Sequence, residues 1–342
     1  MNILRNSCTP RCLSRRKQWI LGSLLPLLTL LAFLLALGVG SSKVELGEAF
    51  RALLTGDRTN TAYRIVYYIR LPRALGALLA GAALAVSGVI IQAVLNNPLA
   101  APNLIGVNAG AGFAVILAMA VLPKAFLSLP LAAFLGALLT ALLIYAISAM
   151  TGAGRVTVTL VGIAVGSILT AGINTVKTLF PDSVYDISGF LIGGLSAANL
   201  SAVLPAAAMI FPALILAWLF SRSLDVLSLG EEVAGGLGLH VKRSGLLWLT
   251  LAAILAGAAV SFAGLIGFVG LIVPHIMRRF VGNSHRFLLF ASIFGGGAFL
   301  LLADTVSRTL FAPYELPVGI LLSLVGGPFF LILILAERRG GR

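Results

Sequence analysis

Apolar residues occur along this chain in long runs that charged residues seldom interrupt. Stretches free of Asp, Glu, Lys and Arg recur from residue 18 to residue 336. A helix that crosses the hydrocarbon core of a bilayer needs about 20 mostly apolar residues. The pattern therefore predicts ten transmembrane helices, near residues 18–40, 71–95, 104–122, 127–150, 156–178, 199–220, 244–264, 268–280, 286–310 and 316–336.

Two of the apolar runs must be divided. The run 74–123 is too long for one span, and the turn-forming sequence NNPLAAPN at 96–103 divides it. The run 244–277 contains glycines at 264, 267 and 270, after which only a short apolar piece remains. This eighth segment predicts a half-helix, and a bundle of nine spans stays open as an alternative.

Composition narrows the class of protein further. Hydrophobic residues make up 59% of the 342 residues and charged residues only 10%, whereas a soluble domain carries about 25% charged residues. Mean hydropathy is +1.07. These values exclude a soluble enzyme and a nucleic-acid-binding protein, so we interpret the net charge of +13 as a topology signal. The fold class predicted is an all-α polytopic membrane protein.

Lysine and arginine placement predicts the orientation of the spans. Basic residues concentrate in cytoplasmic segments of membrane proteins. If the basic tail 1–17 is cytoplasmic, most of the 24 cations fall on that side, including those of the C-terminal tail 337–342. Both termini are then cytoplasmic, which requires an even number of spans and favours ten. Residues 18–336 form a single transmembrane domain.

Motifs for chemistry are missing from the sequence. It contains no GK dipeptide of a phosphate-binding loop, no HExxH and no CxxC, and its three histidines are scattered. Cys8 and Cys12 lie in the basic tail, where no further cysteine or nearby histidine completes a metal site. We therefore expect no enzymatic activity, no catalytic residue, no metal and no cofactor, and we assign the two cysteines no role.

Ionisable residues within the predicted spans are few. Asp304 and Arg308 stand four residues apart on one helix and share a face, so they can pair. Ion-coupled carriers usually place acidic or basic relays inside the membrane. The scarcity of ionisable residues in the predicted spans favours a transporter that takes its energy from another molecule. An ion-coupled secondary transporter that works without an ATPase is the alternative.

Two segments outside the membrane are more than connectors. Segment 43–73 ends in RLPR, which places Arg70 and Arg73 at the outer surface with Arg308 nearby. They could anchor lipid headgroups or dock an acidic partner. The inner segment 222–243 is polar at both ends and has apolar residues and glycines between them, which predicts two short amphipathic helices. These could lie on the lipid surface or insert into a groove of a cytoplasmic partner.

Two further segments are candidates for the transport pathway or its gate. The amphipathic stretch after the fifth span predicts a short re-entrant helix on the outer side, and the NNPLAAPN turn places amides at the inner face. A plain turn without a role in transport is the simpler interpretation of the NNPLAAPN sequence. The candidate pathway residues are Asn96, Asn97, Pro98, Asn103, Gly193 and Gly194.

Several long motifs together resemble the FecCD-type permeases of ATP-binding-cassette (ABC) importers for ferric siderophores, haem and cobalamin. They are RLPRALGALLAGAALAVSGVIIQAVLNNPLAAPNLIGVNAGAGFA (70–114), LGEEVAGGLGLHVKR (229–243), AGLIGFVGLIVPHIMRR (263–279) and LADTVSRTLFAPYELPVGILLSLVGGPFFLILI (302–334). The resemblance runs from about residue 60 to the end of the chain. One departure is the stretch 190–195, where the family commonly has a Trp and a Gly-Ser pair.

The resemblance implies a complete transport assembly. It implies the type II ABC importer permease architecture in the cell membrane, with a second permease subunit (an identical or related chain), two ATPase subunits and an outer substrate-binding protein. Ferric siderophore is the default cargo, with haem and cobalamin open. The resemblance assigns docking of the binding protein to Arg70, Arg73 and Arg308. It assigns ATPase coupling to the segment 225–241, in particular to Leu229, Gly230, Glu231, Glu232, Ala234, Leu237, Gly238 and Leu239.

Overall fold

The computed structural model describes residues 15–40, 47, 51, 60–121, 129–150, 155–181 and 188–340. Cys8 and Cys12, and most of the segment 43–59, lie outside the described residues. The helices are α1 (Arg15–Gly38), α2 (Thr61–Val94), α3 (Val107–Val121), α4 (Leu129–Met150), α5 (Arg155–Leu179), α6 (Ser188–Ile192), α7 (Leu200–Leu219), α8 (Ser221–Leu227), α9 (Glu231–Gly236), α10 (Val241–Ala263), α11 (Val269–Val281), α12 (His285–Thr309) and α13 (Val318–Gly340).

The helical bundle agrees with the predicted fold class. Six helices of the described chain are long and apolar enough to cross a membrane, and α1, α3 and α13 contain shorter apolar stretches. The 13-residue α11 completes ten helical segments at the ten predicted positions. Apart from the groups at its two ends, a helix satisfies its backbone N–H and C=O groups within the same segment, which is why apolar runs in lipid fold this way.

Helix α2 is the centre of the bundle. Of its most apolar stretch, 89% is buried, against 11% for α5. Small residues make this position possible, because a methyl group at Gly81 would overlap the backbone of α12 at Gly296. In the same way, a methyl group at Gly88 would overlap the backbone of α11 at Gly270. Close backbone approach between small residues is the usual source of helix association in lipid.

The predicted half-helix is confirmed. Helix α10 ends at Ala263, the chain continues without helical structure over 264–268, and α11 starts at Val269. This break is held by α6, because Leu265 N–H donates to Phe190 O at 3.0 Å and Gly194 N–H donates to Ala263 O at 3.0 Å. Irregular backbone at membrane depth needs such partners, since lipid offers none.

Candidate functional site

A cluster of ionisable side chains closes one end of the bundle, which the sequence predicts to be the outer end; we call this cluster the outer ion cluster. The guanidinium group of Arg73 holds the carboxylate of Asp304 with Nε at 2.9 Å from Oδ2 and Nη2 at 3.0 Å from Oδ1. Its Nη1 lies 2.6 Å from Oε2 of Glu315. Arg73 and Asp304 are buried, whereas the Glu315 side chain is 32% exposed. One arginine from α2 thus links α12 to the segment before α13.

Two more arginines of this outer ion cluster bind the end of α1. Arg70 Nη1 donates to the carbonyl oxygens of Leu37 at 2.9 Å and Gly38 at 2.7 Å. Arg308 Nη2 donates to Ala36 O, and its Nε lies 3.8 Å from Oδ2 of Asp304. The last carbonyl groups of a helix have no partner within the helix. The arginines supply that partner and fix α1 to α2 and α12.

The depth of the three arginines differs from the prediction. The sequence placed Arg70 and Arg73 at the outer surface and Arg308 near it, but all three are almost fully buried, at 2%, 6% and 3% exposure. The physical reason is that a guanidinium group in a low-dielectric interior needs oxygen partners, and Asp304, Glu315 and the end of α1 provide them. The predicted Asp304–Arg308 contact is present, although Arg73 holds Asp304 more closely. The docking role remains a prediction.

The inner segment between α7 and α10 forms two short helices, as predicted. Helix α8 follows α7 directly, and α9 starts after Gly230 with the acidic pair Glu231 and Glu232 in its first turn. Carboxylates at this position are favoured by the helix dipole. Gly230 (φ 107°) and Gly238 (φ 83°) flank α9 with backbone angles that favour glycine.

Apolar side chains on one face of this inner segment point away from the bundle. Leu229, Val233 and Leu237 are spaced four residues apart and are 58%, 51% and 64% exposed. Ala234, on the opposite side, is fully buried and attaches α9 to the protein. Of the residues predicted to couple to an ATPase, Ala234 therefore does not belong to the exposed face. Whether an ATPase binds there is not tested by this geometry, so that role stays a prediction.

Asp225 of α8 contacts the start of α12. Its Oδ1 lies 2.7 Å from Nδ1 of His285. Burial opposes ionisation of this carboxylate, but the hydrogen bonds and charge of His285 outweigh it and hold the pKa of Asp225 below its ordinary value. The carboxylate is therefore ionised at neutral pH.

The predicted pathway residues divide into two groups. Gly193 and Gly194 lie at the junction of α6, the 264–268 break and the start of α13, where Gly319 N–H donates to Gly193 O at 3.0 Å. Gly193 has φ 85°, and a methyl group there would lie 2.9 Å from the backbone of Leu265. This junction therefore joins three segments of the chain, and a gating role for the two glycines stays a prediction.

The second group lies in the turn between α2 and α3. Asn96 (φ 45°) and Pro98 are exposed, and Asn97 Oδ1 accepts a 2.9 Å hydrogen bond from Leu99 N–H. These contacts are those of a plain turn, which is the simpler of the two interpretations of the NNPLAAPN sequence. Asn103 differs, because its amide lies beside Gly267 in the break before α11.

Sequence reasoning missed a polar stripe on α5, which consists of Ser167, Thr170 and Asn174. All three are exposed, and no other polar side chain lies between Leu160 and Asn174 of this helix. The hydroxyls of Ser167 and Thr170 bond back to carbonyls of their own helix, so they remain compatible with an apolar environment. The signal was present in the spacing of three and four residues, which places them on one face.

The fold defines the class of protein: a multi-pass helical membrane permease with one broken helix and one polar-striped helix. The chain belongs to the FecCD transport family, whose model matches residues 28–336. Among curated relatives, it is 40% identical over 316 residues to the hemin transport system permease protein HmuU of Yersinia pestis, covering 90% of this chain and 95% of that one.

Two further comparisons agree with that assignment. The chain is 41% identical over 320 residues to the iron(3+)-hydroxamate import system permease protein FhuB of Bacillus subtilis, covering 92% of this chain and 82% of the relative. Among solved structures, a metal-chelate type ABC transporter in an inward-facing conformation matches with a TM-score of 0.81 and 28% identity. The match covers 93% of this chain and 99% of that chain.

The outer ion cluster yields a stability prediction. Replacing Arg73 by Gln removes the guanidinium group that neutralises the buried carboxylate of Asp304. We expect a loss of about 3–5 kcal/mol in the free energy of unfolding, the usual cost of breaking a buried pair. Thermal unfolding in detergent measures it. Arg64→Gln on the exposed face of the same helix is the control, and an equal effect of both substitutions would contradict the assigned pairing.

Proposed function

We propose that this chain is the permease subunit of an ABC importer in the cell membrane. It passes a metal chelate from an outer binding protein to the cytoplasm, and a separate ATPase supplies the energy. The chain itself performs no covalent chemistry. Both termini lie in the cytoplasm, so the α8–α9 segment faces the ATPase and the outer ion cluster faces the binding protein.

The observation that carries this proposal is the exposed apolar face of Leu229, Val233 and Leu237. Contiguous apolar surface outside the membrane is unfavourable in water and indicates an interaction site. A pair of short helices held by buried Ala234 can enter a groove on a partner as a rigid unit. Helices α7 and α10 flank the segment in sequence, so a push on it is passed to two transmembrane helices.

A ferric siderophore is the cargo that we propose. The curated relatives named above are described as transporting hemin and iron(3+)-hydroxamate, which are both iron chelates. A passage for such a cargo must release it, so weakly polar groups suit the passage better than tight ligands. The hydroxyl and amide groups of Ser167, Thr170 and Asn174 meet that requirement.

The same polar stripe supports a second permease subunit. Ser167 and Thr170 bond back to their own helix, but the exposed side-chain amide of Asn174 favours water or a protein partner over lipid. Helix α5 has few partners within the chain itself. A second permease, identical or related, placed against α5 would enclose a passage between the two subunits, with the polar stripe along its wall.

In docking, acidic side chains of the binding protein would replace the present partners of Arg70, Arg73 and Arg308. These groups are buried in the present conformation, so acidic side chains of the binding protein would have to displace existing ones. Glu315 is the carboxylate most accessible to displacement, because its side chain is 32% exposed and it holds Arg73 through one oxygen. It occupies the position that a carboxylate of the binding protein would take.

The alternative function is an ion-coupled carrier that works alone. It would need ionisable side chains that are free to bind and release an ion along the pathway. Asp304, Arg73 and Arg308 are instead paired with one another at one end of the bundle. Their contacts hold helices together, so they favour the ABC importer.

Reconstitution separates the two functions. The chain is placed in proteoliposomes alone, and with its ATPase and binding protein, and uptake of a ferric hydroxamate, hemin and cobalamin is measured. We expect uptake of at least one of them only in the complete assembly and only with ATP, because the chain has no nucleotide-binding loop of its own. Uptake driven by a proton or sodium gradient in the chain alone would refute the proposal.

The exposed apolar face yields a prediction for ATPase binding. The double substitution Val233→Ser and Leu237→Ser should weaken ATPase association by about tenfold or more, since buried apolar contacts at an interface contribute about 1–3 kcal/mol. Association is measured by binding of the purified ATPase to the chain in nanodiscs. Leu246→Ser, near the start of α10, removes an exposed apolar side chain that lies outside this face and should leave association unchanged. Equal binding by the double variant and the wild type would reject this interface.

The partner exchange at Arg73 yields a prediction for docking. Glu315→Gln removes a competing carboxylate and should tighten binding-protein association by up to about fivefold, the range of a partly exposed ion pair. Raised ionic strength should weaken association in the wild type. Binding is measured to nanodiscs at low and high salt, with Glu232→Gln on the opposite side as the control. Weaker binding of the Glu315 variant would contradict displacement.

A further inference from the structure

A carboxylate from one helix caps the start of another at the inner end of the bundle. Oδ1 of Asp225, in α8, accepts a 2.9 Å hydrogen bond from the backbone N–H of His285 and lies 2.7 Å from its Nδ1. His285 is the first residue of α12, and its side chain is buried. Ser284, at the N-cap position, makes no side-chain capping bond of its own. Asp225 therefore performs the capping that the helix's own residue does not.

Other side-chain contacts near Asp225 join different pairs of helices. The indole Nε1 of Trp248, in α10, donates to Ser223 Oγ at 3.0 Å. The guanidinium group of Arg286 lies 4.7 Å from the ring centre of Trp218, which joins α12 to α7. In the described part of the chain, the hydrogen bonds of Asp225 are those that join α8 to α12. Its Oδ1 contacts both the backbone N–H and the ring Nδ1 of His285, so a single acceptor atom holds two groups of α12.

Helix α12 continues from this contact to the opposite side of the protein. It runs without interruption from His285 to Thr309, a length of about 37 Å at 1.5 Å per residue. Near its outer end it carries Asp304 and Arg308, which belong to the outer ion cluster. One continuous helix therefore connects the α8–α9 segment to the surface that would receive the binding protein.

We infer that Asp225 is a positioning residue for energy coupling: it makes the α8–α9 segment and α12 move as one body. A displacement of the segment by the ATPase then reaches Asp304 and Arg308 and changes their contacts with Arg73. Coupling between distant sites requires such a chain of rigid elements and ionic contacts. The inference rests on the proposed function, because it assumes that an ATPase binds the segment.

Two substitutions at residue 225 distinguish the loss of the hydrogen-bond acceptor from the loss of the negative charge. Asn places an amide oxygen where the carboxylate oxygen stood, so both donors of His285 can still be satisfied. Ala removes the acceptor and leaves both donors unpaired. A residue that only stabilises the local fold would lower the unfolding temperature without changing the cargo imported per ATP hydrolysed.

The experiment uses the complete assembly in proteoliposomes, with whichever of ferric hydroxamate, hemin or cobalamin the wild type imports. The readout is the ratio of cargo imported to ATP hydrolysed. For Asp225→Ala we expect this ratio to fall about tenfold, a typical size for coupling between sites. Asp225→Asn, and the control Arg222→Ala on the exposed side of α8, should stay within about twofold of the wild type. A wild-type ratio for Asp225→Ala, or an equal loss for Asp225→Asn, would overturn the inference.

A second variant decides the matter if Asp225→Ala does not assemble. His285→Ala removes the imidazole contact and keeps the backbone N–H that Asp225 accepts, so the helix cap is preserved. We expect an intermediate fall in the ratio, and an unchanged ratio would overturn the inference. Failure of the wild-type assembly to import any of the three cargoes would instead refute the proposed function, so the two failures are distinguishable.

Discussion

The need to partner every polar group inside a low-dielectric bundle governs this structure. An unpaired charge or backbone group costs several kcal/mol where water cannot reach it. Arg73 and Asp304 satisfy each other, and Arg70 and Arg308 satisfy the carbonyl groups at the end of α1. The same rule explains why the break at 264–268 is bonded to α6. The polar contacts thus join helices that small residues already bring to backbone distance.

The polar contacts at the two ends of the bundle join different sets of helices. At the outer end, three arginines and two carboxylates tie α1, α2, α12 and the segment before α13 together. At the inner end, Asp225 ties α8 to the first residue of α12. Between them, glycines let α2 lie against α11 and α12 at backbone distance. Helix α5, by contrast, packs little against the rest of the described bundle, with 11% of its most apolar stretch buried.

Several features followed from the sequence with a clear physical reason. The helices could be placed because apolar runs of the right length have one stable form in lipid, and the half-helix because glycines interrupt the eighth run. The pair of short helices at 221–236 followed from alternating apolar and polar positions and two glycines. The burial of Arg70, Arg73 and Arg308 did not follow, since charge near a span end is equally compatible with a surface position. The polar stripe of α5 was overlooked although its spacing was visible.

The sequence by itself determined the class of protein, the number of helical segments and the family, because these depend on local composition and on motifs along the chain. Only the tertiary structure decided which charges meet: Glu315 with Arg73, and Asp225 with His285. These partners are separated by many residues and belong to different segments of the chain, so no local pattern encodes them. Their pairing depends on which helices pack side by side, and close contacts between small residues such as Gly81 and Gly296 set that packing.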